Sequence, residues 1–380
     1  VLEIEPFQVM EILAEAQRLE RSGKKVIHLE IGEPDFPTPE KVVEEACRAM
    51  RRGDTHYTDA RGRRELRVAI AGHLRDTLGV DVDPSREVLV TGGVSLGLQF
   101  VLASLLEPGD EVVIPDPGYP CYPNFVRFFG ARPVEVALEE DGSLSLEDLQ
   151  GKLGRRTRAV LLNTPANPTG TYLSRGELRA VCELASEAGA WVISDEIYSG
   201  LIYDGNRSPS VLEAEYERCV MLDGFSKLYA MTGWRLGYVV APPELTAQVL
   251  KLQQNFYISP SSFAQRAAVV ALSLRAELEA MKREFDRRRR YVVERLRGMD
   301  GFMLVHEPRA AYYVFPDVSE ISQDSTELAR FLLRSAGVAV TPGAAFGRRG
   351  EGHLRISYAA SFEAIAEGMD RIEAALEEYG

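Results

Sequence analysis

Short apolar runs alternate with longer helical patterns along this chain, which predicts an α/β fold on a mostly parallel sheet covered on both faces. Three observations carry that expectation. Segments 87–91, 111–115, 132–136, 158–163, 191–194, 219–222 and 236–241 are of strand length and mostly apolar, with 132–136 (RPVEV) the most polar of them. Helical spacing of apolar residues fills the gaps between them, at 62–79, 95–106, 174–187 and 244–255. The 380 residues exceed one ordinary domain, and 45% hydrophobic with 27% charged residues is the balance of a folded chain, not of a disordered or fibrous one. The expected architecture is a three-layer α/β/α large domain with a seven-stranded sheet, plus a smaller α+β domain formed by both chain ends.

In chain order, residues 8–22 have helical apolar spacing and stop at Ser22-Gly23. The sheet segments follow. A long helical stretch from about 261 to 298 holds the charge run from Lys282 to Arg290, which reads as a solvated helix face. Beyond it, strands near 302–305, 311–315, 338–341 and 354–358 mix with helices at 325–335 and 361–379. The boundary falls inside the long helix, near 285. That gives 1–42 and 285–380 as the small domain with an N-terminal arm, and 43–284 as the large one.

Composition narrows the partners. Lys and Arg total 44 against 57 Asp and Glu, a net charge of −13. A chain this acidic is a poor match for nucleic acid or an anionic membrane surface. No window approaches the ~18 consecutive apolar residues of a membrane span. The first residues lack the basic segment and apolar run of a secretory signal. Cys47, Cys121, Cys182 and Cys219 are scattered, which suits buried thiols in a reducing cytoplasm. The five histidines have no ligand-like spacing, so no metal is expected.

Five segments carry candidate chemistry. In 223–238, DGFSKLYAMTGWRLGY, Lys227 follows Ser226 just past a strand in an apolar, Gly-rich stretch. Such a setting suits an amine to Schiff-base chemistry, although solvation is the usual fate of a lone lysine. Arg235, eight residues on, can hold a phosphate in a two-bond fork. In 191–198, WVISDEIY, an apolar strand delivers Asp195 at its carboxyl end, with Tyr198 three residues later. That carboxylate can cap a helix, bind a metal or pair with a protonated pyridine nitrogen. In 163–170, NTPANPTG, Asn167 before a proline is a turn residue whose amide can also donate to a phenolate oxygen. In 91–97, TGGVSLG, glycines join a strand to a helix, a turn that can also present backbone N–H groups to a phosphate. It is neither a Walker loop nor a GxGxxG fingerprint. In 115–122, PDPGYPCY, Tyr119 is placed to stack on a planar ring or to pack in the core.

Together these segments resemble the fold-type I pyridoxal-phosphate enzymes of the class I/II aminotransferases, in the branch of bacterial aspartate, alanine and aromatic aminotransferases. The resemblance runs from GEPDF at 32–36 to RISY at 355–358, with the motifs in family order and spacing. It implies pyridoxal 5'-phosphate as cofactor and ping-pong transfer of an amino group between an L-amino acid and a 2-oxo acid. Lys227 then matches the Schiff-base lysine and proton shuttle, and Asp195 the partner of the pyridine nitrogen. Tyr198 and Asn167 match the residues at the phenolic oxygen, and Tyr119 the ring-stacking aromatic. Gly93, Val94, Ser226 and Arg235 match the phosphate cup. Tyr57, in THYTDARG, matches a tyrosine that reaches the phosphate of a neighbouring subunit, which implies a homodimer. Arg355 matches the clamp on the substrate α-carboxylate, with Gly32 as a backbone donor beside it.

Departures bear on specificity. Some acidic-substrate members carry, after the two glycines, a lysine that reads the distal carboxylate; here that position is Val94. Residues 255–265, NFYISPSSFAQ, offer no cation either, so neutral donors (alanine, branched or aromatic) are expected over aspartate. The stretch Pro6-Phe7-Gln8-Val9-Met10 is expected in the core or a dimer arm rather than facing the substrate side chain. Position 224 is glycine where some members carry a phosphate-binding serine. A C–S β-lyase, decarboxylase or cyclopropane-forming synthase uses the same activation, and the TGWRLGY and NPTG pattern favours transamination. A cofactor-sensing transcription regulator would add a DNA-binding domain, and a nicotinamide dehydrogenase a glycine fingerprint after its first strand.

Overall fold

The computed structural model describes residues 4, 6 and 8–379. Its central sheet contains β1 (Val88–Thr91), β2 (Glu111–Asp116), β3 (Arg132–Ala137), β4 (Thr157–Asn163), β5 (Trp191–Asp195), β6 (Cys219–Gly224) and β7 (Gly237–Val240). The spatial order is β1-β7-β6-β5-β4-β2-β3. β7 is antiparallel to both neighbours, and all other pairings are parallel.

Apolar residues on both faces of each strand are what a doubly covered sheet requires. On β5, Val192 joins a core shared with helices Glu40–Arg51, Arg64–Leu78, Arg175–Ala188 and Ser262–Ala271. Its neighbour Ile193 points the other way, into a core shared with Val94–Leu105, Cys121–Phe128 and Pro243–Phe256. Local signals set several helix ends. Ser174 and Glu177 form a reciprocal capping box at the start of Arg175–Ala188, and Gly189 closes it in the left-handed conformation.

A further core gathers around Leu29, Phe285, Tyr312, Ile356 and Ile372. Here Ile27–His28 pairs in parallel with Val338–Ala339. Leu354–Ser357 lies between Thr341–Pro342 and Tyr313–Val314, antiparallel to both. Helices Arg275–Arg297 and Phe362–Leu376 pack alongside. No described helix is long and apolar enough to cross a membrane.

The structure corrects several sequence expectations. The stretch 261–298 is two helices, Ser262–Ala271 and Arg275–Arg297. Between them the Ser273 hydroxyl donates to the Val270 carbonyl at 2.7 Å, and Leu274 is buried, so the chain turns where periodicity reads straight through. The segment 302–305 makes only a bridge from Met303 to Asp317. The segment 338–341 divides, because its two halves pair with different strands. Helix Ser325–Phe331 continues as a π turn over Leu332–Ala336. Helices Glu40–Arg51, Cys121–Phe128 and Leu146–Lys152 lie outside the sequence reading. The second of these starts after Pro120 and contains Pro123 in its first turn, where a missing N–H costs little.

The basic run is not a simple solvated face. Arg288 and Arg289 are buried. Arg288 pairs with Asp35 and Glu284, and Arg289 with Asp204 and Asp286. A buried guanidinium needs such partners, and these tie the helix to the chain around 35 and 204.

Candidate active site

Carboxyl ends of parallel strands open onto a common cleft, and the loops leaving them build this site. After β1, Gly92 and Gly93 lead into helix Val94–Leu105. Gly93 has φ of 94°, a value that favours glycine, and no side chain caps the helix start. β5 ends at Asp195, and β6 ends at Gly224, three residues before Lys227.

A cavity of about 360 Å³ is lined by all the residues singled out in the sequence except Gly93 and Tyr57. Gly93 lies just behind the wall, where a Cβ would sit 2.9 Å from the Arg235 guanidinium. Tyr57 stands outside and is 80% exposed. The glycine at 224 has a packing reason: a Cβ there would meet Gly237 Cα and the Leu236 carbonyl at 2.9 Å.

Lys227 Nζ donates to the Gly32 carbonyl at 2.7 Å. Asp195 is buried and accepts from the Tyr122 hydroxyl at 2.8 Å and the Ile197 N–H at 3.2 Å. Burial pushes its carboxyl up to about 6, against those hydrogen bonds and the Lys227 charge. The hydroxyls of Tyr198 and Tyr313 lie 2.9 Å apart. Arg355 is buried and donates to Asn167 Oδ1 at 3.0 Å, to Thr341 Oγ1 at 3.2 Å and to the Glu30 carbonyl. Its Nε is buried without a partner. Asn167 is fixed in turn by its N–H, which donates to Asn163 Oδ1 at 2.8 Å.

Among the described residues, no carboxylate lies within ion-pair distance of Lys227, Arg235 or Arg355. In a chain of net charge −13, three such cations around one cavity stand out. Together with an uncapped helix start they suit two anionic groups.

Sequence reasoning missed Tyr122, Asn163 and Tyr313; it expected the helix Gln8–Arg21 but not that its Val9, Met10 and Leu13 line the cavity. Val9 and Met10 were expected in the core or a dimer arm; Phe7 lies outside the described residues. Tyr122, in the first turn of helix Cys121–Phe128, lies three residues after Tyr119, and the two rings meet edge-on at 5.2 Å. The remaining signals are tertiary.

Residues 24–372 match the family model described as aminotransferase class I and II. The chain is 46% identical to a (5-formylfuran-3-yl)methyl phosphate transaminase of Methanocaldococcus jannaschii, over 98% of this chain and 97% of that one. It is 39% identical to an aspartate aminotransferase of Pyrococcus horikoshii, over 99% of this chain and 96% of the relative. Among solved structures, the aspartate aminotransferase of Rhizobium meliloti superposes with a TM-score of 0.95 at 35% identity, covering 100% of this chain and 98% of that one. An alanine aminotransferase of Pyrococcus furiosus gives 0.94 at 34% identity, covering 99% and 98%. This family generally depends on pyridoxal phosphate. The chain belongs to the class I and II aminotransferases and is a transaminase of the fold-type I architecture.

Proposed function

We propose that this transaminase uses pyridoxal 5'-phosphate held at Lys227 and takes a neutral L-amino acid as donor. The observation that carries this reading is the three carboxylate-free cations set around one cavity with a buried carboxylate. The donor set fits the cofactor. Arg235, Ser226 and the start of helix Val94–Leu105, entered from Gly93, would hold its phosphate. Tyr119 would stack on the ring, and Tyr198 with the amide of Asn167 would meet its phenolic oxygen. Asp195 offers a buried anion that a protonated ring nitrogen would stabilise. When bound, the cofactor supplies an electron-withdrawing ring that makes the substrate Cα proton acidic.

The chain's own residues then place and move that proton. Arg355, with Nε still free to donate, would fix the substrate α-carboxylate, with Gly32 beside it. Held there, the Cα–H bond is aimed by orientation rather than by chance collision. As a free amine, Nζ of Lys227 would take the Cα proton and hand it on to the cofactor carbon rather than back to Cα. Borohydride reduction and peptide mapping test the assignment: cofactor on Lys227 is expected, and cofactor on another lysine overturns it.

Val94 and the apolar wall of Val9, Met10, Leu13 and Ile31 favour neutral or aromatic side chains. A second reading, an acidic donor, is favoured by the relatives named aspartate aminotransferase. Half-transamination with alanine, aspartate, branched and aromatic donors decides: faster turnover of a neutral donor is expected, and preference for aspartate overturns it.

We also infer a homodimer and a division of the chain near 285. Tyr57 is exposed outside its own cavity, and Phe256 and Ile258 are exposed apolar residues. From there Tyr57 can serve a phosphate only in a second copy. The core around Phe285 and Ile372 takes in Ile27 and Leu29, which supports joining the two chain ends, and it also takes in Ile197, Tyr198, Leu201 and Tyr203 across the division.

A further inference from the structure

We propose that Tyr312 is a positioning residue for Lys227, acting through the carbonyl of Gly32. The proposal rests on Lys227 being the reactive amine. The Gly32 oxygen accepts from Lys227 Nζ at 2.7 Å and from the Tyr312 hydroxyl at 2.9 Å. A carbonyl has two lone pairs, so both are occupied.

The Tyr312 hydroxyl has little freedom to leave. Its residue is fully buried. Its ring meets Tyr198 edge-on at 5.6 Å, Tyr313 at 4.9 Å and Phe285 at 5.4 Å between centroids. Losing the Gly32 acceptor would cost a buried donor its partner. The adjacent Tyr313 completes the clamp: a Cβ at Gly32 would overlap its hydroxyl. Two consecutive tyrosines thus hold one glycine, one by its oxygen and one by the space a side chain would fill.

The consequence for Lys227 follows from sharing. A second donor draws electron density from the same oxygen and weakens its hold on the amine. Tyr312 therefore fixes where the Gly32 carbonyl points while keeping Lys227 loosely tethered, able to leave for the reacting carbon and return to the same place. With phenylalanine at 312 the ring packing survives, and the carbonyl is left to the lysine alone.

The test is Y312F, compared with the parent full chain. In the cofactor-free protein, the rate at which acetic anhydride acylates Lys227 is read by mass spectrometry of its peptide. Roughly three- to tenfold slower labelling in Y312F is expected, the size of one neutral hydrogen bond. In the loaded enzyme kcat falls by a similar factor while KM stays within about twofold. A merely structural role predicts the opposite pattern: a loosened site that labels faster, with KM raised. Unchanged or faster labelling overturns the proposal. Borohydride mapping of both proteins separates the two possible failures. Cofactor on another lysine sinks the site assignment; cofactor on Lys227 with unchanged labelling sinks only the role of Tyr312.

Discussion

Asp195 and Glu196 are adjacent acids at the end of one strand, both buried, and they face opposite sides of the sheet. Asp195 shares its side with Ile193 and Tyr122 and looks into the cleft. Glu196 shares its side with Val192 and accepts from the Val211 N–H at 2.9 Å, anchoring a short turn. Burial raises both, Asp195 to about 6 and Glu196 to about 8. The lesson is that burial alone does not mark a functional acid. Asp195 lines the cavity that also holds Lys227, Arg235 and Arg355, whereas Glu196 borders a different cavity, of about 840 Å³, and is engaged by the Val211 N–H.

The largest effect should separate these neighbours. D195N is expected to lower kcat by about 10²–10⁴, the usual range for losing a group that tunes acid–base chemistry. E196Q is expected to keep kcat within about twofold. Steady-state kinetics on both variants check this, and equal losses would break the comparison.

Arginines extend the contrast. Arg355 faces the cleft without a carboxylate, whereas Arg289 is locked to Asp204 and Asp286. R355K should reduce kcat/KM by about 10–100-fold, since a lysine cannot offer a two-bond fork. R289K should lower the melting temperature and leave kcat/KM nearly unchanged. A stability loss in R355K with kinetics intact would reverse the roles.

A smaller effect concerns Tyr57. Y57F should weaken cofactor affinity by about two- to tenfold, one hydrogen bond's worth. Fluorescence titration of the stripped protein measures it. Dilution should reproduce the loss in the parent if the hydroxyl serves a second copy; a dilution-independent affinity contradicts that.

The smallest expected effect on activity carries a pH signature. The Glu196 carboxyl stands at about 8 in the fold against an ordinary 4.5, so the folded chain keeps a proton that the unfolded chain releases. Its stabilising share is complete below about pH 4 and is lost as pH rises through about 8. E196Q removes that loss. Its melting temperature should exceed the parent's by about 2–5 °C at pH 8, and the gain should vanish near pH 4. Equal gains at both pH values would remove burial as the cause.

Much of this molecule was legible in one dimension. Mostly apolar runs marked six of the seven strands of the central sheet, since a doubly covered strand has no polar side to hide; the edge strand β3, RPVEVA, is partly exposed and carries Arg132 and Glu135. Lys227, Asp195 and Asn167 stood out because each follows an apolar strand or sits in a Gly- and Pro-rich turn at its end. Short strands such as Thr341–Pro342 were not separable, because two residues carry no period. Tyr122, Tyr313 and Met10 were silent as well: an aromatic or apolar residue looks the same whether it faces a core or a cleft.

The sequence by itself determined the sheet, the helices that cover it and the residue types needed for an anionic cofactor and substrate. It also determined that Asp195 and Glu196 point apart, because strand side chains alternate. Only the tertiary structure decided which of them meets the cavity of Lys227 and Arg355, since that depends on which helices cover each face. It alone brought Gly32, Tyr312 and Lys227 onto one carbonyl, from segments 195 and 280 residues apart. Local spacing encodes direction, and only packing encodes company.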